Sequence, residues 1–238
     1  WDKHFKNIRD FIPVCRKLGY QGMVMTSWST SGEYDAVHES SSDLVDLYAV
    51  RHVYPLAGFN ILLAAYSEAL RTDNPLNIPQ FVRNYCAIRY GFNTSQTDSF
   101  WHALTAAPYE VSQGVVSDPS VSLPILIDSA RQAAAILHSL KPSKGEPEFE
   151  HYRLMADIRL FYLEYQGIGA EANAASFTSD QVPALLTRLK QLKAKEAGLN
   201  KRFAELNKAG LYPAEIAEEN QIRNQKIDLL FNRLAGIR

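Results

Sequence analysis

The sequence predicts a mainly α-helical chain that opens with a single helix–strand unit of a parallel α/β fold. Most of its 238 residues lie in stretches where apolar side chains recur at steps of three and four, the spacing of one helix face. Only residues 23–28 have the pattern of a strand that is buried on both faces. Long helical stretches joined by short turns in the second half favour an antiparallel bundle.

The opening unit is a helix, a tight turn, a strand and a loop. Residues 2–18 have helical periodicity, although Pro13 allows a kink or an early boundary. Gly19 suits the position just past a helix end. Residues 23–28 form the predicted strand, and residues 29–42, rich in Ser, Gly and Glu, form a long loop. One such unit cannot close a sheet, so the strand requires partners from elsewhere.

Residues 43–118 are expected to form a helical segment that packs on or follows the opening unit. The features expected there are a helix capped by Asp43, an interruption at Tyr54–Pro55, a helical stretch to about Leu70, a helix over residues 78–90 ended by Gly91, and a helix capped by Thr94 or Ser95. Residues 114–119 are expected to be irregular, because Gly and Pro interrupt the periodicity there.

Residues 119–238 are expected to form the C-terminal antiparallel helical bundle. The predicted helices cover residues 122–140, 149–175, 182–206 and 216–237, with Ser179 or Asp180 capping the third. Their apolar residues recur at steps of three, four or seven, and the turns between them are short. This arrangement is typical of helices that pack side by side in alternating directions.

Composition excludes several classes of partner. The formal net charge is −1 and 46% of the residues are hydrophobic, which gives no electrostatic reason to expect a nucleic acid or an anionic membrane. No apolar run approaches the roughly 20 residues that a membrane-spanning helix needs. Cys15 and Cys86 are too few for a disulfide framework or a zinc site, and we expect two buried thiols.

The most informative polar residues follow the predicted strand. Trp28 ends it, and Glu33, Asp35 and Glu39 lie in the loop after it. A Trp offers a flat apolar face to the C–H face of a sugar ring, and the carboxylates can accept hydrogen bonds from sugar hydroxyls. The alternative is a core aromatic residue beside a solvated acidic loop. A self-contained pair of catalytic carboxylates is not expected, because such pairs normally come from different strands.

Other candidate features have structural explanations. The His residues are scattered and show no metal-binding spacing, so no metal site or cofactor is expected. A basic run on the third bundle helix alternates with a leucine stripe and is interpreted as its solvated face, with a membrane or partner surface as the alternative. Its members are Arg188, Lys190, Lys193, Lys195, Lys201 and Arg202.

Residues 20–39 resemble the last barrel strand of glycoside hydrolase family 20. The similarity is to the branch that includes hexosaminidase D and related bacterial exo-β-N-acetylglucosaminidases, whose strand reads approximately Gly-x-x-x-Thr-Gly-Trp or Thr-Ser-Trp, with a Glu further along. The matching residues are Gly22, Thr26, Ser27, Trp28 and Glu39. That branch often has Arg-Tyr-Asp after the Trp. Here Glu33-Tyr34-Asp35 stands at a different offset, so those contacts do not carry over from the family.

The resemblance implies a fold and an activity. Residues 1–42 would be the last unit of a (β/α)8 catalytic barrel, followed by a C-terminal helical domain. Family 20 enzymes release terminal β-linked GlcNAc or GalNAc, and the acetamido oxygen of the substrate is the nucleophile. Trp28 would form part of the wall around the terminal sugar, and Glu39 could hold a hydroxyl.

The family's catalytic pair, an adjacent Asp-Glu after the fourth strand, is absent from this sequence. The resemblance therefore implies that the barrel begins upstream, that the 238-residue chain is inactive alone, and that its partners are the upstream barrel and N-acetylhexosamine-containing glycans. The localisation is unknown, with the cell envelope or periplasm favoured for a bacterial enzyme that degrades glycans.

The tail of some other sugar-active barrel is one alternative interpretation. The main alternative is an independent helical binding or scaffold module without enzyme activity. In that case the strand pairs within this chain or is helical. If the barrel interpretation is right, residues 1–40 either pack extensively onto the helices or are covered by a missing partner piece, because a lone buried strand exposes unpaired backbone groups and apolar surface.

Overall fold

In the computed structural model, residues 1–25, 56–108, 111–112 and 114–237 are described, and these parts of the chain are mainly helical. Their α-helices are α1 Asp2–Lys17, α2 Asn60–Ala69, α3 Ile78–Tyr90, α4 Thr94–Thr105, α5 Leu123–Ser139, α6 Glu146–Ala172, α7 Val182–Asn207 and α8 Pro213–Ala235. Short 3₁₀ turns cover Leu56–Phe59 and Ser179–Gln181. A small antiparallel hairpin pairs β1 Val111–Ser112 with β2 Val115–Val116.

Helix α1 confirms the predicted opening helix and its end. It continues through Pro13 and stops at Leu18. Gly19 follows with a φ of 76°, and the N–H groups of Gly19 and Tyr20 donate to the carbonyls of Arg16 and Cys15 at 2.9 and 3.1 Å. These two bonds form a Schellman motif, in which a left-handed glycine satisfies the last carbonyls of the helix.

The strand predicted over residues 23–28 is not found in its described part. Residues 23–25 have irregular backbone, and the Val24 side chain is 88% exposed. A strand needs a neighbouring strand to accept and donate its ladder of hydrogen bonds, and the described residues place none beside this segment. The remainder of the predicted strand, residues 26–28, lies outside the described residues.

The caps of α3 and α4 explain why these helices start where they do. Asn77 accepts a hydrogen bond from the N–H of Gln80 at the start of α3. Asn93, rather than the predicted Thr94 or Ser95, caps α4 through a reciprocal pair of bonds with Gln96. An Asn side chain accepts from the third N–H of a helix as well as Ser or Thr does, and Gln96 completes the capping box.

The hairpin corrects the prediction that residues 114–119 are irregular, because residues 115–116 form one of its strands. Gly114, with a φ of 77°, allows the tight reversal. Two side chains of α6 hold the hairpin. Tyr162 donates to the Val111 carbonyl at 2.6 Å, and Gln166 accepts from the Gly114 N–H at 2.9 Å. Strands this short depend on tertiary contacts and leave little trace in a sequence pattern.

The four long helices α5–α8 confirm the predicted helical stretches, with shifted ends. Helix α6 begins at Glu146 and stops at Ala172, about three residues earlier at each end than predicted. Thr178, rather than Ser179 or Asp180, forms a capping box with Gln181 just before α7. The most extensive contacts among α5–α8 are between helices that follow one another along the chain, as short connections between antiparallel neighbours require.

The buried apolar residues form two clusters, and α5 and α6 contribute to both. One cluster contains the second half of α6 with α7 and α8, and includes Phe161, Leu189 and Phe203. The other contains the first half of α6 with α1–α4, and includes Phe5 and Phe100. Because α5 and α6 contribute to both clusters, they connect the N-terminal helices directly to the bundle. The domain boundaries at residues 42 and 118 stay predictions.

Polar side chains lie between α7 and α8. Arg223 is buried, with its guanidinium 4.6 Å from the Phe203 ring centroid, and it donates to Asn200 and Asn220 at 3.1 and 2.8 Å. Burial lowers its pKa to about 10, against the opposing effect of Glu219. These directional bonds restrict how α7 and α8 can slide past each other.

Glu196 on α7 is an unfavourable charge in this interface. Its Oε1 atom is buried without a hydrogen-bond partner, and the nearest cation, Lys193, is 4.0 Å away. Burial raises the pKa of Glu196, and the attraction of Lys193 only partly opposes it. Ionisation of this carboxyl near pH 7 therefore destabilises the fold.

Replacing Glu196→Gln is expected to raise the free energy of unfolding at pH 7 by about 0.5–1 kcal/mol, or roughly 1–4 °C in melting temperature. Thermal unfolding followed by circular dichroism measures the difference. The gain should shrink as the pH falls through the pKa of Glu196, because the wild-type carboxyl then becomes neutral too. The exposed Glu205→Gln on the same helix is the matched control and should change stability by less than about 0.5 kcal/mol.

Candidate functional site: the anchors around residues 26 to 55

The predicted substrate-binding residues Trp28, Glu33, Asp35 and Glu39 lie outside the described residues. The structure describes the chain up to residue 25 and again from residue 56. The structure therefore shows how the helices hold the chain on either side of this segment. Residues 16–25 are called the leading anchor, and residues 56–60 are called the return anchor.

The leading anchor is tied to α2 and to the turn that follows it. The Tyr66 hydroxyl of α2 donates to the Met23 carbonyl at 2.7 Å, and the Met23 side chain packs against the N-terminal apolar cluster. The Arg16 guanidinium of α1 donates to the carbonyls of Leu70 and Thr72 just after α2. These bonds fix where the chain leaves for residues 26–55.

The return anchor is tied to α6. The chain re-enters through the 3₁₀ turn Leu56–Phe59 and begins α2 at Asn60. The Asn60 amide donates to Glu148 Oε2 at 2.9 Å, and the Phe59 ring centroid lies 6.1 Å from that of Trp1. The polar bond thus holds the start of α2 against the first turn of α6, and the aromatic contact holds the preceding turn against Trp1.

Glu148 is the centre of this arrangement. Its side chain is only 8% exposed, yet it accepts five hydrogen bonds from four side chains. The donors are Asn60 at 2.9 Å, Tyr85 at 2.9 Å, Arg89 at 2.9 and 2.6 Å, and Tyr90 at 2.6 Å. A buried carboxylate is stable only when donors replace its lost water, and here they come from α2 and α3.

Local backbone geometry brings Glu148 to its donors. Gly145 precedes α6 with a φ of 61°, and a Cβ there would lie 2.7 Å from the Arg89 carbonyl oxygen. The N–H of Ser143 donates to the Tyr90 carbonyl at 2.9 Å. This close contact, possible only for glycine at position 145, places the first turn of α6 beside the end of α3.

The hydrogen bonds keep Glu148 ionised. Burial alone would raise its pKa, but the bonds from Arg89, Tyr90, Asn60 and Tyr85 together outweigh burial and hold the pKa below the usual range. The same burial, with the nearby carboxylate, raises the pKa of Tyr85. The pair therefore stays as a carboxylate and a neutral phenol across the physiological range.

This chemistry makes Glu148 a structural group. A general acid needs a raised pKa and a general base needs free access to a proton, whereas Glu148 has a lowered pKa and its acceptor positions are occupied. Metal binding finds no support either, since the described part of the chain holds no cluster of three or more His, Cys, Asp or Glu side chains suited to an ion. Cys15 and Cys86 are free and buried, as expected, and burial raises the pKa of Cys86 to about 12.

An aromatic cluster surrounds the carboxylate on its inner side. Tyr90 packs edge-on against Phe149 at 5.3 Å between centroids, and Phe100 packs edge-on against Tyr152 at 5.2 Å. Offset and edge-to-face pairs of this kind add to the stabilisation from apolar burial. They also exclude water from Glu148, which strengthens its hydrogen bonds.

Helix α1 has a second apolar face that the described helices do not cover. One face carries Phe5, Ile8 and Ile12 and is buried in the N-terminal cluster. A separate set at steps of three and four, Phe11, Val14 and Leu18, is 63%, 52% and 67% exposed. Exposed apolar residues in a contiguous row indicate a surface that contacts another protein segment.

Five of the six cations in the basic run on α7 pair with acidic side chains, which favours the interpretation as a solvated face. Arg188 pairs with Glu171, Lys195 with Glu164 and Lys201 with Glu205, at 2.5, 2.6 and 3.9 Å. Lys193 and Arg202 pair with Asp228 and Asp157. These acidic partners lie on α6, α7 and α8 and neutralise the cations locally. Within the described ranges, no helix combines the length and apolar character needed to cross a membrane.

Sequence reasoning missed Glu148 because its neighbours Glu146 and Glu150 look the same in the sequence. The usable signal was on α3, where Tyr85, Arg89 and Tyr90 put two hydroxyls and a guanidinium near one another at helical spacing. Such a group of donors on a packed helix indicates a buried acceptor, but it does not say which carboxylate provides it.

No known protein family, curated protein or solved structure matches this chain.

Replacing Glu148→Ala is expected to lower the free energy of unfolding by about 3 kcal/mol at pH 7. This is the low end of the range for breaking a buried charge pair, because Arg89 is half exposed and can return to water. Denaturant unfolding measures the change. Glu171→Ala on the same helix removes the exposed pair with Arg188 and should change stability by less than about 1 kcal/mol.

The pH dependence provides an independent check on Glu148. Because its folded-state pKa is lowered, its contribution is complete above the unfolded pKa of about 4.3 and disappears as the pH falls through the folded value. The wild-type chain should therefore lose stability below about pH 4.5 more steeply than Glu148→Gln. Parallel curves for the two proteins would contradict this assignment.

Proposed function

We propose that this chain is the C-terminal part of a family 20 glycoside hydrolase that releases terminal β-linked N-acetylhexosamine. In this proposal α1 is the last helix of the catalytic barrel, residues 23–28 lead into the active site, and the helices from α2 onward support that segment from outside. The 238-residue chain contributes to the sugar site but carries no catalytic pair of its own.

The observation that carries the proposal is the two-faced character of α1. A barrel helix covers the strands with one face, and those strands are apolar on both sides. The face with Phe5, Ile8 and Ile12 is occupied by the described helices, and the face with Phe11 and Leu18 is exposed. Strands of a barrel are the kind of surface that would cover the second face.

The leading and return anchors are the second observation that supports the proposal. The resemblance to the family covers residues 20–39, and the helices hold the chain at Met23 and at Asn60, on either side of the segment that carries Trp28. A sugar subsite needs its contacting side chains placed within a fraction of an ångström by rigid supporting elements. Attachment at Met23 and at Asn60 fixes the chain on either side of the segment that carries Trp28.

The proposed division of chemistry follows from the residues present. The substrate's acetamido oxygen attacks the anomeric carbon, and the enzyme supplies an Asp that orients the acetamide and a Glu that acts as acid and base. Glu148 cannot take either role, because it is buried and fully hydrogen-bonded. In this proposal Trp28 packs on the terminal sugar, and Glu39 accepts a hydroxyl hydrogen bond.

The test uses the complete natural polypeptide and the 238-residue chain, assayed with aryl N-acetyl-β-glucosaminide and N-acetyl-β-galactosaminide. The complete polypeptide should hydrolyse at least one of them, and the shorter chain neither. Trp28→Ala in the complete polypeptide should lower kcat/KM about 100-fold through lost substrate positioning. Tyr212→Ala, which removes an exposed aromatic residue of the bundle, is the matched control and should retain full activity.

Three outcomes contradict the proposal. They are a natural polypeptide with no barrel before α1, a complete polypeptide that hydrolyses neither glycoside, and a Trp28→Ala variant with unchanged kcat/KM. The first would favour a helical scaffold module instead, in which the exposed face of α1 binds a separate protein.

The exposed face of α1 gives a second test of the same proposal. Leu18→Glu should destabilise the complete polypeptide by about 2–4 kcal/mol, since it buries a charge against the strands. The same variant should change the 238-residue chain by less than about 0.5 kcal/mol, because Leu18 is exposed there. Equal effects in both polypeptides would show that nothing upstream covers this face.

A further inference from the structure

A groove lies between α2 and α3. Its volume is about 600 Å³, and it opens on the outer surface of the N-terminal helices. Residues of the α2 end, the following turn and one side of α3 line it. Its lining combines amide side chains, aromatic rings and a few charges of both signs, which differs from the purely apolar surface of α1.

Four amide side chains supply the polar part of the groove: Asn74, Asn77, Gln80 and Asn84. The Gln80 amide nitrogen donates to Asn84 Oδ1 at 2.8 Å, and Asn77 Oδ1 accepts from the Gln80 N–H at 3.1 Å. These bonds use the oxygens of the two Asn side chains and orient their NH₂ groups for other acceptors. An amide both donates and accepts hydrogen bonds, as a hydroxyl does, so a row of amides matches a row of hydroxyls.

Two aromatic rings supply the apolar part. Phe81 and Tyr85 are half-buried on α3, with ring centroids 5.9 Å apart and planes inclined by 32°. Ile88, one turn further on, is 74% exposed. The hydroxyl of Tyr85 is held by Glu148, so this ring is fixed before any ligand arrives. Rigid rings beside polar groups are the usual lining of small-ligand sites.

The charges in the groove favour a neutral ligand. Arg89 is paired with Glu148 at 2.6 Å and is neutralised there. Glu68 and Arg71 bring one negative and one positive charge to the other side of the groove. A strongly acidic ligand would meet Glu68, and a strongly basic ligand would meet Arg71. The balance disfavours a nucleic acid or a highly charged peptide.

We propose that the α2–α3 groove binds a neutral, polyhydroxylated ligand, namely an oligosaccharide, with its hydroxyls on the amide row and its C–H faces on Phe81 and Tyr85. The proposal rests on the proposed function only in the choice of the sugar used as a probe. The groove would hold a glycan chain on the outer surface of the N-terminal helices.

Isothermal titration of the 238-residue chain with N,N′-diacetylchitobiose tests the groove, with maltose as a second neutral sugar. Binding of at least one sugar is expected with a Kd on the order of 1 mM, typical of a shallow site with few contacts. The double variant Gln80→Ala/Asn84→Ala should weaken that binding at least fivefold. Both residues are exposed, so the fold should persist, and a circular dichroism melt checks this.

Gln191→Ala, an exposed amide on α7 outside the groove, is the matched control and should bind as the wild type does. Absence of binding to both sugars overturns the proposal, and so does binding that survives the double variant. Tighter binding of a sulfated disaccharide than of either neutral sugar overturns the neutral ligand class. Because titration does not measure hydrolysis, an inactive complete polypeptide with sugar binding in the groove would contradict the proposed function alone.

Discussion

The buried carboxylate of Glu148 is the interaction on which the N-terminal half of the structure depends. A charge in that position has no water to solvate it, so its stability requires that several donors arrive at once. Those donors come from Asn60 on α2 and from Tyr85, Arg89 and Tyr90 on α3. The first turn of α6 can therefore take its place only when α2 and α3 are in theirs, which makes these helices one cooperative unit.

This group of helices holds the two anchors of the proposed sugar site. The start of α2 is the return anchor, and the same helix holds the leading anchor through Tyr66 and Met23. The chain is therefore attached to α2 both before and after residues 26–55. Helix α2 is in turn attached to α6 through Glu148.

Helix α1 illustrates why amphipathicity must be considered on more than one face. The apolar residues at positions 5, 8, 11, 12, 15 and 18 predict one buried face. That prediction is confirmed for positions 5, 8, 12 and 15 and is wrong for positions 11 and 18. The apolar residues Phe11, Val14 and Leu18 are equally regular, yet the described helices leave them exposed. The spacing of the apolar residues indicates apolar side chains on two sides of α1. Only the tertiary structure shows which of those sides the other described helices cover.

Predictions from local sequence patterns succeeded where the residues that determine an element lie within that element. Residues 78–90 were predicted as a helix because apolar residues recur within that stretch and Gly91 can take a left-handed conformation, and α3 has these bounds. The predictions failed where an element depends on residues that are far away along the chain. The hairpin at Val111 depends on Tyr162 and Gln166 of α6, and a strand predicted from residue 23 has no described partner to pair with.

The candidate site divides in the same way. The sequence alone determined that Trp28 and its following carboxylates stand in a polar segment after an apolar run, and that a helical domain follows. It could not identify Glu148, because that residue acts through partners 58 to 88 positions away along the chain. Helix-forming tendency and capping are properties of neighbouring residues, whereas the solvation of a buried charge is a property of whatever the fold brings around it. Only the tertiary structure decides which acid, among several similar ones, finds its donors.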